Sequence, residues 1–264
     1  PLFFLGILSG AMADWLERRL FLLFIALSGM AVAGIMAVVL LTGEPPIWAV
    51  VVLVAAGGCM LAFTLTTRNA YTYDIVGPEH ALNGLSLNQM AMQAGGIGGA
   101  IMSGALIELV GPGWQYLAVG ASYLGSASVL LVIGRSTRTA QPLREPVLQN
   151  LVGYVRFLRE NRLIFILMCL TSTTEVLGFT HMTLLPVFAK EVLHVGPAGL
   201  GYLTAVRQAG GLLGLALLAN LRDYRRKGLL MFIIATGFGV GLMAFSVSSA
   251  LVYFIIVLAA VNAC

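Results

Sequence analysis

Charged residues are scarce in this chain of 264 residues: Asp, Glu, Lys and Arg together make up 10% of it. Soluble globular domains carry about 25% charged residues. With 59% hydrophobic residues and a mean hydropathy of +0.95, the composition excludes a soluble globular protein. The chain is therefore predicted to be an all-α polytopic membrane protein.

Cysteines and catalytic patterns are scarce as well. Cys59, Cys169 and Cys264 lie in apolar runs, and their spacing fits neither a disulfide framework nor a metal site. The sequence has no phosphate-binding loop of the form G-x-x-x-x-G-K-[ST] and no arrangement of a nucleophile with a base. We therefore expect no enzyme, no cofactor and no metal.

Long apolar runs occupy most of the chain. Seven of them are long enough to cross a bilayer, which takes about 20 residues, and the first and last are shorter. The runs lie at roughly 1–13, 20–42, 47–67, 85–107, 114–134, 163–189, 199–219, 228–248 and 250–264. Because the chain starts at Pro1 and ends within a run, we expect an internal fragment. Residues 68–84 are interpreted as a polar loop.

The basic residues lie almost entirely on one side of these runs. Of the 15 Lys and Arg residues, 13 fall in alternate loops on one side, Lys190 lies on the other, and Arg207 lies within a run. The positive-inside rule places the basic side in the cytoplasm. It also explains the net charge of +4 without a nucleic-acid partner.

A short charged turn, GAMADWLERR, joins the first two runs. It resembles the loop between the second and third helices of the major facilitator superfamily, G-x-L-A-D-R-x-G-R-R, although Met12, Trp15 and Glu17 depart from that pattern. In that family the loop latches the two halves of the protein at the cytoplasmic side. The resemblance implies a gating role for Gly10, Asp14, Arg18 and Arg19.

The resemblance also implies a layout of two six-helix halves. Residues 1–134 correspond to the N-terminal half, from part of the second helix to the sixth. Residues 135–162 form a cytoplasmic linker, in which helical spacing of apolar residues from Glu145 predicts an amphipathic surface helix. Residues 163–264 correspond to the seventh helix through part of the tenth.

An internal repeat supports this division. The segment ANLRDYRRKGLL, from Ala219, is similar to ADWLERRLFLL, from Ala13, with one extra residue. Parallel halves of a transporter are expected to repeat in this way. The repeat loop of the second half contains Asn220, Asp223, Arg225 and Arg226, with Asn220 in the place of Asp14.

The run GGIGGAIMSG resembles the fifth-helix motif of exporters in this superfamily, g-x-x-x-G-P-x-x-G-G, with Ala100 in the place of Pro. Small residues allow close helix packing, although such patterns occur in many membrane helices. With the preceding polar stretch, this run resembles the branch that includes enterobactin and macrolide efflux proteins. The residues that match the motif's small positions are Gly95, Gly99, Ser103 and Gly104.

Ionisable residues within spans are costly, so they are candidates for function. Counting ~1.5 Å per residue from the outer loop, His181 and Arg207 fall at similar depths, and Glu175 lies several ångströms deeper. They are candidates for proton coupling, in which Arg207 tunes the Glu175 carboxyl. The alternatives are a permanent ion pair and a carboxylate wetted by a cavity. Glu108 is interpreted as a solvated residue at the outer end of its span.

The resemblance implies a secondary transporter that exports a small amphipathic molecule, of drug or siderophore type, in exchange for protons by alternating access. It would act as a monomer in the lipid bilayer of a bacterial cytoplasmic membrane. Two alternatives stay open at this point: an importer or facilitator with the same fold, and a membrane scaffold or signalling protein that does not transport.

Overall fold

The computed structural model describes residues 16–43, 45–132, 158–178, 180–220, 227–246 and 251–263, together with Leu5, Ser9 and Met12. Within these residues the protein is helical, with no β-strand. The helices are α1 (Arg18–Leu41), α2 (Ile47–Val76), α3 (Ala81–Leu109), α4 (Pro112–Val132), α5 (Arg162–Thr173), α6 (Thr180–Val187), α7 (Pro197–Asn220), α8 (Lys227–Ser246) and α9 (Leu251–Ala263). A 3-10 helix, Pro78–His80, precedes α3, and π-helical turns at Thr174–Gly178 and Phe188–Val192 flank α6.

Four helical segments of the described residues are long and apolar enough to cross a membrane. They are Arg18–Leu41, Ile47–Val76, Pro78–Leu109 and Pro112–Val132. Shorter apolar helices follow at Arg162–Thr173, Gly228–Ala244 and Tyr253–Ala263. The prediction of an all-α integral membrane protein is confirmed.

Helix α2 is longer than its apolar run. The expected polar loop over residues 68–84 is wrong, because α2 continues to Val76 and breaks only at Gly77, whose φ of 75° favours glycine. Two polar side chains of this stretch, those of Asn69 and Asp74, bond to neighbouring helices. Asn69, for example, accepts a hydrogen bond of 3.2 Å from Asn88 of α3.

Residues 1–89 and 109–149 form one compact unit, in which α1 packs mainly against α4 and also against α2. The buried side of α1 carries apolar and small residues at helical spacing: Phe21, Leu22, Ile25, Ala26, Gly29, Ala33, Met36 and Ala37. The ring of Phe21 meets Phe63 of α2 edge to face at 5.8 Å between centroids. A Cβ at Gly29 would lie 2.7 Å from the ring of Tyr123, so a larger residue there would displace that ring.

Residues 90–108 and 150–264 form the second compact unit, so α3 contributes to both. Its core consists of Leu185, Ala189, Leu203, Phe254, Val257, Leu258 and Val261. Helix α7 lies against the backbone of α9. A Cβ at Gly210 or Gly214 would collide with the carbonyl oxygens of Ala259 and Ala263, respectively. Small residues four apart allow this close approach.

The division predicted at residues 135–162 stays a prediction. Most of that segment, including most of the amphipathic helix predicted from Glu145, lies outside the described residues.

Candidate functional site

Arg18 and Arg19 are the first two residues of α1. A helix N-terminus carries a partial positive charge, which disfavours cations, whereas a C-terminus favours them. The two side chains reach the C-terminal parts of two neighbouring helices, and all three helices belong to the first compact unit. This arrangement puts both cations where backbone carbonyls stabilise them.

Arg18 binds the end of α2. Its Nη1 lies 2.5 Å from Oδ1 of Asp74 and donates a second hydrogen bond, of 3.1 Å, to the Ala70 carbonyl. The side chains of Arg18 and Asp74 are only 17% and 10% exposed. A charge-assisted bond so far removed from water is strong, so the removal of either partner should destabilise the protein.

Sequence reasoning missed Asp74 because it lay in the stretch interpreted as a loop. One signal could have placed it on a helix: after Gly58 the sequence has neither glycine nor proline before Gly77. Such a stretch can continue as a helix beyond its apolar run.

Arg19 binds the end of α4. Its Nε donates to the Leu130 carbonyl at 2.8 Å, and its Nη2 donates to the Leu131 carbonyl at 3.0 Å. Both carbonyls belong to the last described turn of α4. Arg19 therefore binds this turn, and the pair of arginines ties α1 to both neighbours. We call this end of the unit the Arg18 end.

Buried hydroxyl groups lie on the same part of α2. Thr66 and Ser9 share a hydrogen bond of 2.9 Å between their hydroxyl oxygens. Thr67 and Tyr71 are also buried, and within the described part of the chain their hydroxyl groups have no hydrogen-bond partner.

Gly10 and Asp14 lie outside the described residues. The gating role predicted for Gly10, Asp14, Arg18 and Arg19 therefore stays a prediction.

Helix α3 carries the predicted small-residue motif, and its second part contacts α7 within the second unit. A Cβ at Gly104 would lie 2.7 Å from the Pro197 carbonyl oxygen and 3.0 Å from the Cα of Gly201. Within the described residues, no atom lies within 4 Å of a Cβ position at Gly95 or Gly99. Of the four motif residues, Gly104 thus lies in the contact, Ser103 is half-buried beside it, and Gly95 and Gly99 point away.

The ionisable residues of the spans lie on three neighbouring segments. Glu175 belongs to the π-helical turn Thr174–Gly178, and His181 belongs to α6; the side chains of both lie outside the description. Arg207, on α7, is half-buried and donates a hydrogen bond of 2.9 Å to Sδ of Met182. The predicted pairing of Arg207 with Glu175 stays a prediction.

The repeat loop of the second half falls mostly outside the described residues. Asn220 is the last residue of α7, and Asp223, Arg225 and Arg226 lie in the gap before α8. In the described part of the chain, no group of three or more His, Cys, Asp or Glu residues could hold a metal ion.

Comparison with known proteins agrees with the resemblance seen in the sequence. The family profile of the transmembrane secretion effectors, a major facilitator superfamily group, matches residues 1–264. The enterobactin exporter EntS of Shigella boydii serotype 18 is 25% identical over 236 residues, which are 89% of this chain and 56% of that exporter. The chain thus spans about half the length of this curated relative. This protein belongs to the transmembrane secretion effector family of the major facilitator superfamily, a family of membrane transporters and not of enzymes.

Proposed function

We propose that the chain is part of a secondary transporter that exports a small amphipathic molecule in exchange for protons, by alternating access. It would do so as a monomer in a bacterial cytoplasmic membrane. Family membership and the likeness to an exporter support this function. The structural observation on which it depends most is the pair of arginines that joins α1 to the ends of α2 and α4.

The Arg18 end would form part of a cytoplasmic gate. The positive-inside rule assigns this end to the cytoplasm. The bonds to Asp74 and to the last turn of α4 hold three helices together there, so that they can move as one body. In the cycle we propose, this body meets the second half of the transporter when the cytoplasmic side is closed. Asp14 would then supply the bond between the halves.

Glu175 would carry the proton. It lies in a π-helical turn, and such turns are frequent at functional sites. Arg207 could change its partner during the cycle. Among the described residues its hydrogen bond goes to a thioether, which accepts weakly, and a guanidinium has five donors. Close approach of Arg207 would favour the ionised Glu175, and separation within the membrane would favour the protonated form. His181 would lie nearby.

The substrate class follows from the relative and from the membrane context. The similar protein is named for enterobactin export, so a siderophore is the first compound to try. A hydrophobic drug is the second, because the proposed path runs between apolar helices.

The test uses the full-length protein in vesicles that carry a proton gradient. Enterobactin or ethidium is added, and a pH-sensitive dye reports the collapse of the gradient. In wild type we expect the proton gradient to collapse only when substrate is added. In Glu175→Gln we expect this collapse to be at least tenfold slower. Glu79→Gln is the matched control, because Glu79 is an exposed residue of the 3-10 helix before α3.

Each result favours one reading. If Glu175→Gln behaves as wild type, Glu175 has a structural role and the proton site lies elsewhere. If labelled substrate crosses the membrane without proton movement, the protein is a facilitator or importer. If no tested compound moves and no gradient collapses, the proposal of export is refuted for those compounds and a non-transporting role gains support.

A further inference from the structure

Glu108 forms a bond that its sequence context did not predict. It was interpreted as a solvated residue at the end of its span. It is indeed exposed, yet its Oε2 accepts a hydrogen bond of 2.9 Å from the backbone N–H of Ala198, 90 residues further along the chain. Glu108 is the penultimate residue of α3, and Ala198 is the second residue of α7.

The carboxylate acts as the N-terminal cap of α7. The Gly196 carbonyl accepts the first helical bond, from Leu200 at 3.0 Å, which makes Gly196 the capping position. Glycine has no side chain that could satisfy the free N–H groups of the first turn. Glu108 supplies the missing acceptor from another helix, and its negative charge suits the positive end of the α7 dipole.

The glycine at the capping position leaves room for this carboxylate. A Cβ at Gly196 would lie 3.3 Å from Oε2 of Glu108, which is closer than most such contacts. The backbones of the two helices also touch just below the cap. A Cβ at Gly201 would lie 2.6 Å from the Ala100 carbonyl oxygen. Glu108 thus sits at the end of a contact between the backbones of α3 and α7.

The contact continues along both helices. A Cβ at Gly96 would collide with the side chain of Gln208, and a Cβ at Gly211 would collide with the side chain of Gln93. From Gln93 to Glu108 this seam spans about 22 Å at ~1.5 Å per residue. Helices that pack through small residues can slide or separate gradually. A hydrogen bond from one carboxylate to one backbone N–H instead fixes α3 and α7 in a single relative position.

Glu108 lies near the C-terminal end of α3. Four residues separate the last residue of α2 from the first residue of α3, so α3 begins close in sequence to Asp74. Its 29 residues span about 43 Å, which is enough to cross a bilayer. In the predicted layout α3 belongs to the first half of the transporter and α7 to the second half.

We infer that Glu108 is an outer latch, which holds α3 on the N-terminus of α7 while the extracytoplasmic side is closed and releases it when that side opens. The inference rests on the proposed function, because alternating access requires the two halves to separate at this end. When the latch opens, water satisfies both the carboxylate and the N–H groups of α7. Removal of the carboxylate should therefore favour the state that is open to the outside.

Another acidic residue near this end serves as the control. Lys190 and Glu191 approach each other at 3.9 Å, with side chains 84% and 65% exposed. A pair so exposed contributes little to stability. Glu191→Gln thus removes the same charge from the same end of the protein without removing a cap.

The test measures distances between spin labels on the full-length protein after its native cysteines have been replaced by serine. One pair of labels, at Thr42 and Val192, reports the outer ends of the two halves in the predicted layout. A second pair, at Ile75 and Gly228, reports the inner ends. All four positions are exposed, so the labels replace no buried side chain.

We expect Glu108→Ala to raise the ratio of outward-open to outward-closed molecules about tenfold, the usual effect of one charge-assisted capping bond. The outer distance lengthens and the inner distance shortens. Glu108→Gln gives a smaller increase, because its amide oxygen still accepts the bond, and Glu191→Gln gives none.

Two results would overturn the latch. One is a pair of distance distributions that Glu108→Ala and Glu108→Gln leave as in wild type. The other is a lengthening of both the outer and the inner distance. That result would mean that the variants loosen the whole fold instead of opening one side of the transporter. Neither readout needs a substrate. If the protein transports in vesicles but its outer distance is the same in wild type and in the Glu108 variants, only the latch is refuted. If the Glu108 variants change the two distances as expected but no substrate is exported, only the proposed export is refuted.

Discussion

Gly104→Ala adds a single methyl group at the point where α3 touches the backbone of α7. Its Cβ would lie 2.7 Å from the Pro197 carbonyl oxygen, 3.0 Å from the Cα of Gly201 and 3.1 Å from the Cα of Ala198. Favourable carbon contacts lie at about 3.5–4.0 Å. All three neighbours are backbone atoms, which cannot rotate away, so the helices must part by roughly 0.5–1 Å to reach that separation.

The cost can be set against the gain in helix propensity. Overpacking a close contact costs about 1–3 kcal/mol, and exchange of a helical glycine for alanine returns about 1 kcal/mol. We expect Gly104→Ala to lower the free energy of unfolding by about 1 kcal/mol net. Gly99→Ala is the matched control on the same helix, because no atom of the part of the chain that the structure describes lies within 4 Å of its Cβ position. Gly99→Ala should gain the higher helix propensity of alanine without a steric clash.

The assay is thermal unfolding of the purified full-length protein in one detergent, followed by the fraction that stays monodisperse at each temperature. Gly104→Ala should unfold a few degrees below Gly99→Ala. Gly201→Ala should behave like Gly104→Ala. The double variant, with both alanines, should lose less unfolding free energy than the two single variants lose together, because one separation of the helices relieves both clashes. Equal midpoints for Gly104→Ala and Gly99→Ala would refute the backbone contact.

Two further predictions concern the Arg18 end. Asp74→Asn should lower the free energy of unfolding by about 2 kcal/mol, because it removes the carboxylate that binds the buried Arg18 cation. Replacing both residues by methionine should cost less. Chemical unfolding of wild type and of the two variants checks this, and an unchanged midpoint for Asp74→Asn would contradict it. Thr67→Val should leave stability unchanged or raise it by about 1 kcal/mol, because the buried hydroxyl has no hydrogen-bond partner within the described residues and valine has nearly the same shape. The same measurement tests it, with Thr66→Val, which breaks the bond to Ser9, as the destabilising counterpart.

The spans were predictable because their signal is local. A membrane helix needs its own run of apolar residues, whatever its neighbours are. The predicted run at 20–42 became α1 (Arg18–Leu41), and the run at 114–134 became α4 (Pro112–Val132). The prediction failed at residues 68–76, because an apolar run ends where polar side chains begin. A helix continues if other helices supply partners for those side chains, as Arg18 does for Asp74.

The partners of the charged residues were not predictable in the same way. The charged turn GAMADWLERR indicated a role for Arg18 and Arg19, but Asp74 lies 56 residues from Arg18, and Leu130 lies 111 residues from Arg19. Composition and spacing carry no information on pairs so far apart. Glu108 was placed correctly at the end of its span, and only its neighbour across the fold shows that it is bound.

Sequence alone could not tell which face of α3 lies against α7. Gly95 and Gly99 match the exporter motif, but the residues that face α7 are Gly96, Ala100 and Gly104. Glu108 follows them in the same four-residue spacing. In an α-helix, one residue along the chain is a rotation of about 100°. A sequence rich in small residues allows a close contact on several faces, and the partner helix selects one of them.

The amino-acid sequence by itself determined that this protein is helical, that it lies in a membrane and which loops carry its positive charge. These properties depend on the free energy of transferring each segment from water to lipid. That free energy is set by the segment's own residues and not by its neighbours. The tertiary structure decided which arginine meets which carboxylate, which face of α3 lies against α7, and that Glu108 caps a helix 90 residues away. Such contacts depend on the relative rotation and depth of packed helices, which no single segment contains.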